Sequence, residues 1–219
     1  MRTFQQGIPK EQLVNNLIKH QKADEFIQGQ YWDDGKGCAV GCSIIDFNGK
    51  PEKHSEFERL FGIPRIIATI EDGIFEGLST EYSKWWPVAF AEAVPVNADL
   101  SMVWPKFAVW ILEDVKQYSR EESVKDIDRV IELYKLKISG HNVDRGLWDR
   151  ARAYASDASA FYAAAAASAF YAAASYAAAA AYSASDADDA DDAYAAAYAR
   201  KSKRKEQADK LIEILKESA

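Results

Sequence analysis

The chain has 219 residues, a formal net charge of −7 and a pI near 5.1. That length suits one substantial domain, or a compact domain with an appendage. The acidity argues against general nucleic-acid binding and against attraction to an anionic membrane, leaving only local basic patches to meet phosphate.

Two cysteines, Cys38 and Cys42, are too few to staple a secreted scaffold. The opening residues Met1-Arg2-Thr3-Phe4-Gln5-Gln6 show no charged region followed by an apolar stretch, so no signal peptide is visible and a cytoplasmic protein is expected. Hydrophobic residues make up 48% of the chain, but alanine in the last third inflates the figure and buries little area. Five of the six tryptophans precede Gly140, which places the expected core in the first 140 residues.

In chain order, Pro9 sits where a first helical position would be, and Leu13, Leu17, Ile18 and Phe26 form a stripe that should end before Gly29. Residues 29–51 are the least regular part of the chain. Three glycines fall within seven positions (Gly35, Gly37 and Gly41), and Asn48-Gly49 marks a turn. This region is read as a glycine-rich loop leading into a short helix or strand. Ser55 and Glu58 are spaced as a capping box for a helix ending at Gly62. Pro64 opens the next helix, through Ile66, Ile67, Ile70, Ile74 and Phe75 to about Gly77. Thr80 caps a helix carrying Trp85 and Trp86, and Asp99 or Ser101 caps one through Trp104, Phe107, Trp110 and Ile111. Ser119 and Glu122 form a second capping box.

Beyond Gly146 there is neither glycine nor proline, and alanine is the strongest helix former. A single helix from residue 147 to 215 would be roughly 100 Å long, so two antiparallel helices with a break near Ser183-Ala184-Ser185-Asp186 are expected. A transmembrane reading of residues 163–181 fails because Ser168, Ser175 and several tyrosines interrupt them and alanine is barely favourable in lipid. The predicted fold is therefore mainly α. It comprises a compact multi-helix domain over residues 1–140, with the glycine-rich loop at 29–51, and an alanine-rich helical arm over 141–219 folded as a hairpin.

The segment Gly35-Lys36-Gly37-Cys38-Ala39-Val40-Gly41-Cys42 supports several readings. Successive backbone N–H groups with Lys36 could cradle an anion, although the ending of a P-loop is absent. Cys38 at a helix start could act as a nucleophile, with His54 or His20 as base. Cys38 and Cys42, four apart, could share a helical face toward a metal, but no second ligand pair is spaced to complete a zinc tetrahedron, so no metal or cofactor is expected. The competing structural reading is that the glycines allow close packing and both cysteines are small buried residues.

Trp32, Trp85 and Trp86 belong to a dense aromatic set that could stack a base while Lys36 meets phosphate. Trp85 and Trp86 cannot both face the same side of a helix. The acidic stretch at 186–192 lacks the glycine and glutamate of a calcium loop. It and the basic run at 200–205 are read as solvated faces.

Four segments, Gly37-Cys38-Ala39-Val40-Gly41-Cys42, Phe61-Gly62-Ile63-Pro64, Glu71-Asp72-Gly73-Ile74-Phe75-Glu76-Gly77 and Ala93-Val94-Pro95-Val96-Asn97-Ala98-Asp99-Leu100, together with the alanine-rich tail, resemble uncharacterised proteins of tailed phages and prophages. The resemblance implies no catalytic residue. It implies a non-catalytic accessory binding protein, a host-defence antagonist that binds a nucleotide-like signal or a host protein in the host cytoplasm. Read from the residues themselves, since none carries over from the resemblance, the ligand-binding residues would be Trp32, Gly35, Lys36, Gly37, Cys38, Gly41, Trp85 and Trp86, with homo-oligomerisation through the alanine arm. Two alternatives stand beside it: a cysteine-dependent enzyme using Cys38 with His54, and a structural scaffold assembled through the arm.

Overall fold

The computed structural model describes residues 1–117, 121–154 and 190–219. The protein is mainly α: among the described residues there are ten helices and no strand, only two isolated bridges. The helices are α1 (Lys10–Lys22), α2 (Ala39–Ile45), α3 (Glu56–Phe61), α4 (Arg65–Gly77), α5 (Thr80–Ser83), α6 (Trp86–Ala93), α7 (Val103–Lys116), α8 (Glu121–Ile138), α9 (Arg145–Tyr154) and α10 (Ala190–Lys216). No described helix is long and apolar enough to cross a membrane. The expected hairpin break at 183–186, the alanine-rich stretch before it and the Ser119 cap lie outside the described residues.

The chain forms two compact units, Met1–Val103 with Arg204–Ala219, and Trp104–Lys203. The boundary expected at Gly140 falls inside the second unit, between α8 and α9, which pack on one another.

In the first unit α2 packs on α1, α4 and α6, and α1 lies along α6. The stripe Ile67, Ile70, Ile74 recurs at helical spacing on α4 and is fully buried, as are Val40 and Ile44 of α2 and Trp86 of α6. Each such side chain contributes about 1.5–3 kcal/mol by leaving water. The second half of α10 belongs to this unit. Gln207, Ala208, Leu211, Ile214 and Leu215 are its buried face, at spacings of one, three and four. Ahead of them the Arg204 side chain lies across Gly77, where a Cβ would collide with the guanidinium stem, and Arg204 donates to Gln207 Oε1 (2.9 Å). Lys205 pairs with Asp209 (2.6 Å) and sits over the Tyr82 ring. These two members of the basic run are therefore packed and paired, not simply solvated.

The second unit has its own core of Ala108, Leu112, Ile127, Val130, Ile131, Tyr134 and Ala151, flanked by Trp104 and Trp148. The Tyr134 ring meets Trp148 at 4.8 Å and Trp104 edge-on at 6.1 Å. Burial pushes the Tyr134 hydroxyl up to a pKa of about 12. Lys203, also in the basic run, pairs with Asp114 (2.8 Å).

Three helix ends differ from the sequence expectation. α1 stops at Lys22 rather than running through Phe26. Asp24 turns left-handed (φ 55°), and the chain after it pairs with Gly37 through Ile27 N–H to Gly37 O (2.9 Å) and Gly37 N–H to Glu25 O (3.0 Å). The Ser55 capping box does not form: Ser55 is itself helical in conformation and its side chain makes no cap hydrogen bond. Ser79, not Thr80, caps α5 by accepting from Tyr82 N–H.

If the end of α10 is part of the first unit's core, Leu211→Ala should lower the unfolding free energy by about 2–5 kcal/mol. Ser202→Ala, at an exposed position of the same helix, should change it by less than about 0.5 kcal/mol. Urea denaturation followed by tryptophan fluorescence measures both.

Candidate functional site

The glycine-rich segment is built around a close approach of backbone to backbone. Residues 30–31 run over the first turn of α2, and Cys38 N–H donates to Gln30 O (2.7 Å). A Cβ at Gly41 would overlap the Tyr31 carbonyl, and one at Gly37 would overlap the same oxygen and press on the Trp32 ring at 2.9 Å. Glycine is required at both positions because nothing larger fits beneath Tyr31.

This packing engages the amides that a phosphate cradle would need. Lys36 N–H donates to Asp33 O, Gly37 N–H to Glu25 O and Cys38 N–H to Gln30 O. Gly41 N–H donates to Cys38 Sγ (3.4 Å), and Cys42 N–H to Cys38 O (3.0 Å). Gly35 lies at an exposed left-handed turn (φ 82°) between Asp33 and Lys36.

The loop's two aromatic residues each lean edge-on against a histidine held by carboxylates. Tyr31 meets His54 at 5.8 Å, and His54 Nε2 lies 3.0 Å from Asp72 Oδ2. Trp32 meets His20 at 5.8 Å, and His20 sits between Glu25 (2.5 Å) and Asp46 (3.2 Å). Tyr31 is exposed, Trp32 half-buried and Lys36 exposed.

The other predicted binding residues are not gathered with them. Trp86 is fully buried, and its indole N–H donates to the Glu71 carbonyl (3.1 Å). It is a core residue and offers no face to a ligand. Trp85 is half-buried and packs edge-on against Tyr82 at 5.8 Å. Gly37, Cys38 and Gly41 are buried beneath the loop.

Cys38 caps α2 and faces α4. Its Sγ and the carboxylate oxygens of Asp72 and Glu76 lie within 4.8 Å of one another. Burial, then the neighbouring Asp72 charge, pushes the thiol far above its ordinary pKa, and burial does the same to Cys42. The order of groups is thiol, carboxylate, imidazole. His54 gives its nitrogen to Asp72, so the carboxylate stands where a catalytic cysteine needs its base. Glu71, one residue earlier on α4, is 1% exposed, and neither carboxylate oxygen has a hydrogen-bond partner. Burial first, then the charges of Asp72 and Glu76, raise its pKa well above the usual carboxylate range. Glu76 accepts from Gly29 N–H (2.8 Å).

Asp72, Glu76 and Glu71 were not singled out from sequence. The available signal was local: after Arg65, α4 carries three carboxylates and Thr69 among otherwise apolar residues and glycines, and no lysine or arginine stands three or four residues from any of the carboxylates within the helix.

Gly41→Ala should lower stability by about 3 kcal/mol, the upper end of the overpacking range, because the obstruction is backbone. In the folded wild type neither cysteine should react with a disulfide-exchange reagent at neutral pH, and both should react after unfolding in urea. Rapid labelling of Cys38 alone in the folded chain would restore the nucleophile reading.

No protein-family model, no curated protein and no solved structure matches this chain.

Proposed function

We propose that the chain is a non-catalytic binding protein of phage accessory type, and that its contact surface is the rim formed by Tyr31, Trp32 and Lys36. The observation that supports this most is how the rim is made. Two large aromatic residues stand at the surface on backbone clamped from below at Gly37 and Gly41, each braced by a histidine. Aromatic anchors held this way lose little freedom on binding, and such residues carry much of the energy at protein interfaces.

A host protein suits this rim better than a nucleotide phosphate. The amides from Lys36 to Cys42 that hydrogen-bond within the loop are committed there, so a phosphate would rest on Lys36 and its neighbours' side chains alone. The resemblance to phage-encoded chains makes a host-defence protein the partner class. Self-association through the alanine-rich stretch, and action in the host cytoplasm, belong to the same proposal. A cysteine-dependent enzyme is less favoured, because the Cys38 thiol is buried against a carboxylate.

The test compares wild type with a Tyr31→Ala/Trp32→Ala double variant in bacterial cells, by quantitative affinity purification and native mass spectrometry. The expected result is one host protein retained by wild type and lost at least tenfold in the double variant, with unchanged circular dichroism. Each ring should be worth about 2 kcal/mol of binding. Equal retention by the two proteins, or a bound nucleotide in place of a protein, would overturn the proposal.

A further inference from the structure

The meeting of α2 with α4 brings together donors that share one chemistry. Cys38 offers a thiol from the start of α2, and Asp72 and Glu76, four residues apart, project from one face of α4. Among the described residues this is the one group of three such donors close enough to hold a metal ion. A tetrahedral zinc ion with bonds of about 2.3 Å to sulfur and 2.0–2.2 Å to oxygen holds its ligand atoms about 3.4–3.6 Å apart. The three atoms already lie within 4.8 Å, so side-chain rotation of roughly an ångström closes the set.

A second observation comes from the unpartnered carboxylate oxygens of Asp72 and of its neighbour Glu71. The Glu71 side chain is buried to 1% exposure with both oxygens unpartnered, although a buried carboxylate without a partner is costly. Glu71 is the chain neighbour of Asp72 on α4. Asp72 Oδ1 is likewise buried without a partner, while Oδ2 receives His54. A cation held by Cys38, Asp72 and Glu76 would give the unpartnered Asp72 oxygen a counter-charge.

The surroundings match what metal ligands need from their neighbours. His54 fixes one oxygen of Asp72, Gly29 N–H fixes Glu76 and Gly41 N–H points at Cys38 Sγ. The cluster runs from buried Cys38 through half-buried Asp72 to exposed Glu76, which provides an entry path for an ion.

We infer that Cys38, Asp72 and Glu76 form a binding site for a thiophilic divalent cation of the zinc class, with His54 as a positioning residue for Asp72. One thiolate with two carboxylates suits zinc and cobalt better than magnesium or calcium, which take oxygen alone. Binding releases the Cys38 thiol proton to solvent as the sulfur–metal bond forms. The site adjoins the Tyr31–Trp32 rim through His54, against which Tyr31 leans, but metal binding does not require the rim to be a partner surface.

The experiment titrates the metal-stripped full-length chain with Co²⁺, then displaces it with Zn²⁺. Wild type should take up one equivalent and show a sulfur-to-cobalt charge-transfer band in the near ultraviolet that zinc abolishes. The band should vanish in Cys38→Ser and persist in Cys42→Ser. His54→Ala should keep the band and weaken binding 10–100-fold. Should Cys38→Ser not fold by circular dichroism, the Asp72→Asn/Glu76→Gln double variant decides, with a loss of at least tenfold expected. No uptake by folded wild type, uptake without a sulfur band, a band that follows Cys42, or full affinity in the double carboxamide variant would each overturn the inference.

Discussion

The first unit depends on the passage of the Tyr31 backbone over the opening turn of α2. That crossing is possible only because Gly37 and Gly41 carry no side chain. It sets the height of the loop above the helix, the edge-on contact of Tyr31 with His54 and the placement of Cys38 as the α2 cap. The hydrogen bond from Cys38 N–H to Gln30 O ties the two layers together. A methyl group at Gly41 would lift the loop from the helix, and the aromatic rim and the thiol would move with it.

The second organising feature is charge that the fold does not neutralise by itself. α4 carries Glu71 into the core and half-buried Asp72 beside it, with Glu76 exposed one turn on, and no lysine or arginine stands three or four residues from them on that helix. A helix selected for stability alone would place apolar groups at positions 71 and 72, since buried carboxylates cost free energy unless paired. Burial pushes the Glu71 carboxyl toward its neutral form, which lessens that cost. That shift does not explain why a thiol, two further carboxylates and an imidazole collect at the same place. Buried polar groups that stability does not require are the usual mark of a site.

Much of the fold was legible wherever the signal was local. Pro9 and Pro64 precede α1 and α4, Gly62 and Gly77 close α3 and α4, and the isoleucine stripe of α4 faces inward as its spacing requires. What failed was information that arrives from elsewhere in the chain. The glycines at 37 and 41 admit both an anion cradle and close packing, and nothing in their neighbourhood decides for packing by announcing that residue 31 returns to lie on them. Trp86 looked available for stacking, but its indole finds the carbonyl of Glu71, fifteen residues away, and is buried. Asp72 and Glu76 could be placed on one helix face from spacing alone, yet only the packing of α2 on α4 brings them to Cys38. The apolar spacing of Leu211, Ile214 and Leu215 marks a helix, but not that it docks in the unit begun by residue 1.

The crossing at Tyr31 is tested most directly by amide hydrogen exchange at Gly37 and Cys38, resolved by NMR. If the loop is clamped onto α2, both amides should exchange as slowly as those in the middle of α4, and Gly41→Ala should accelerate them selectively. Exchange at open-loop rates in the folded wild type would contradict the clamp, and with it the placement of the aromatic rim and of Cys38.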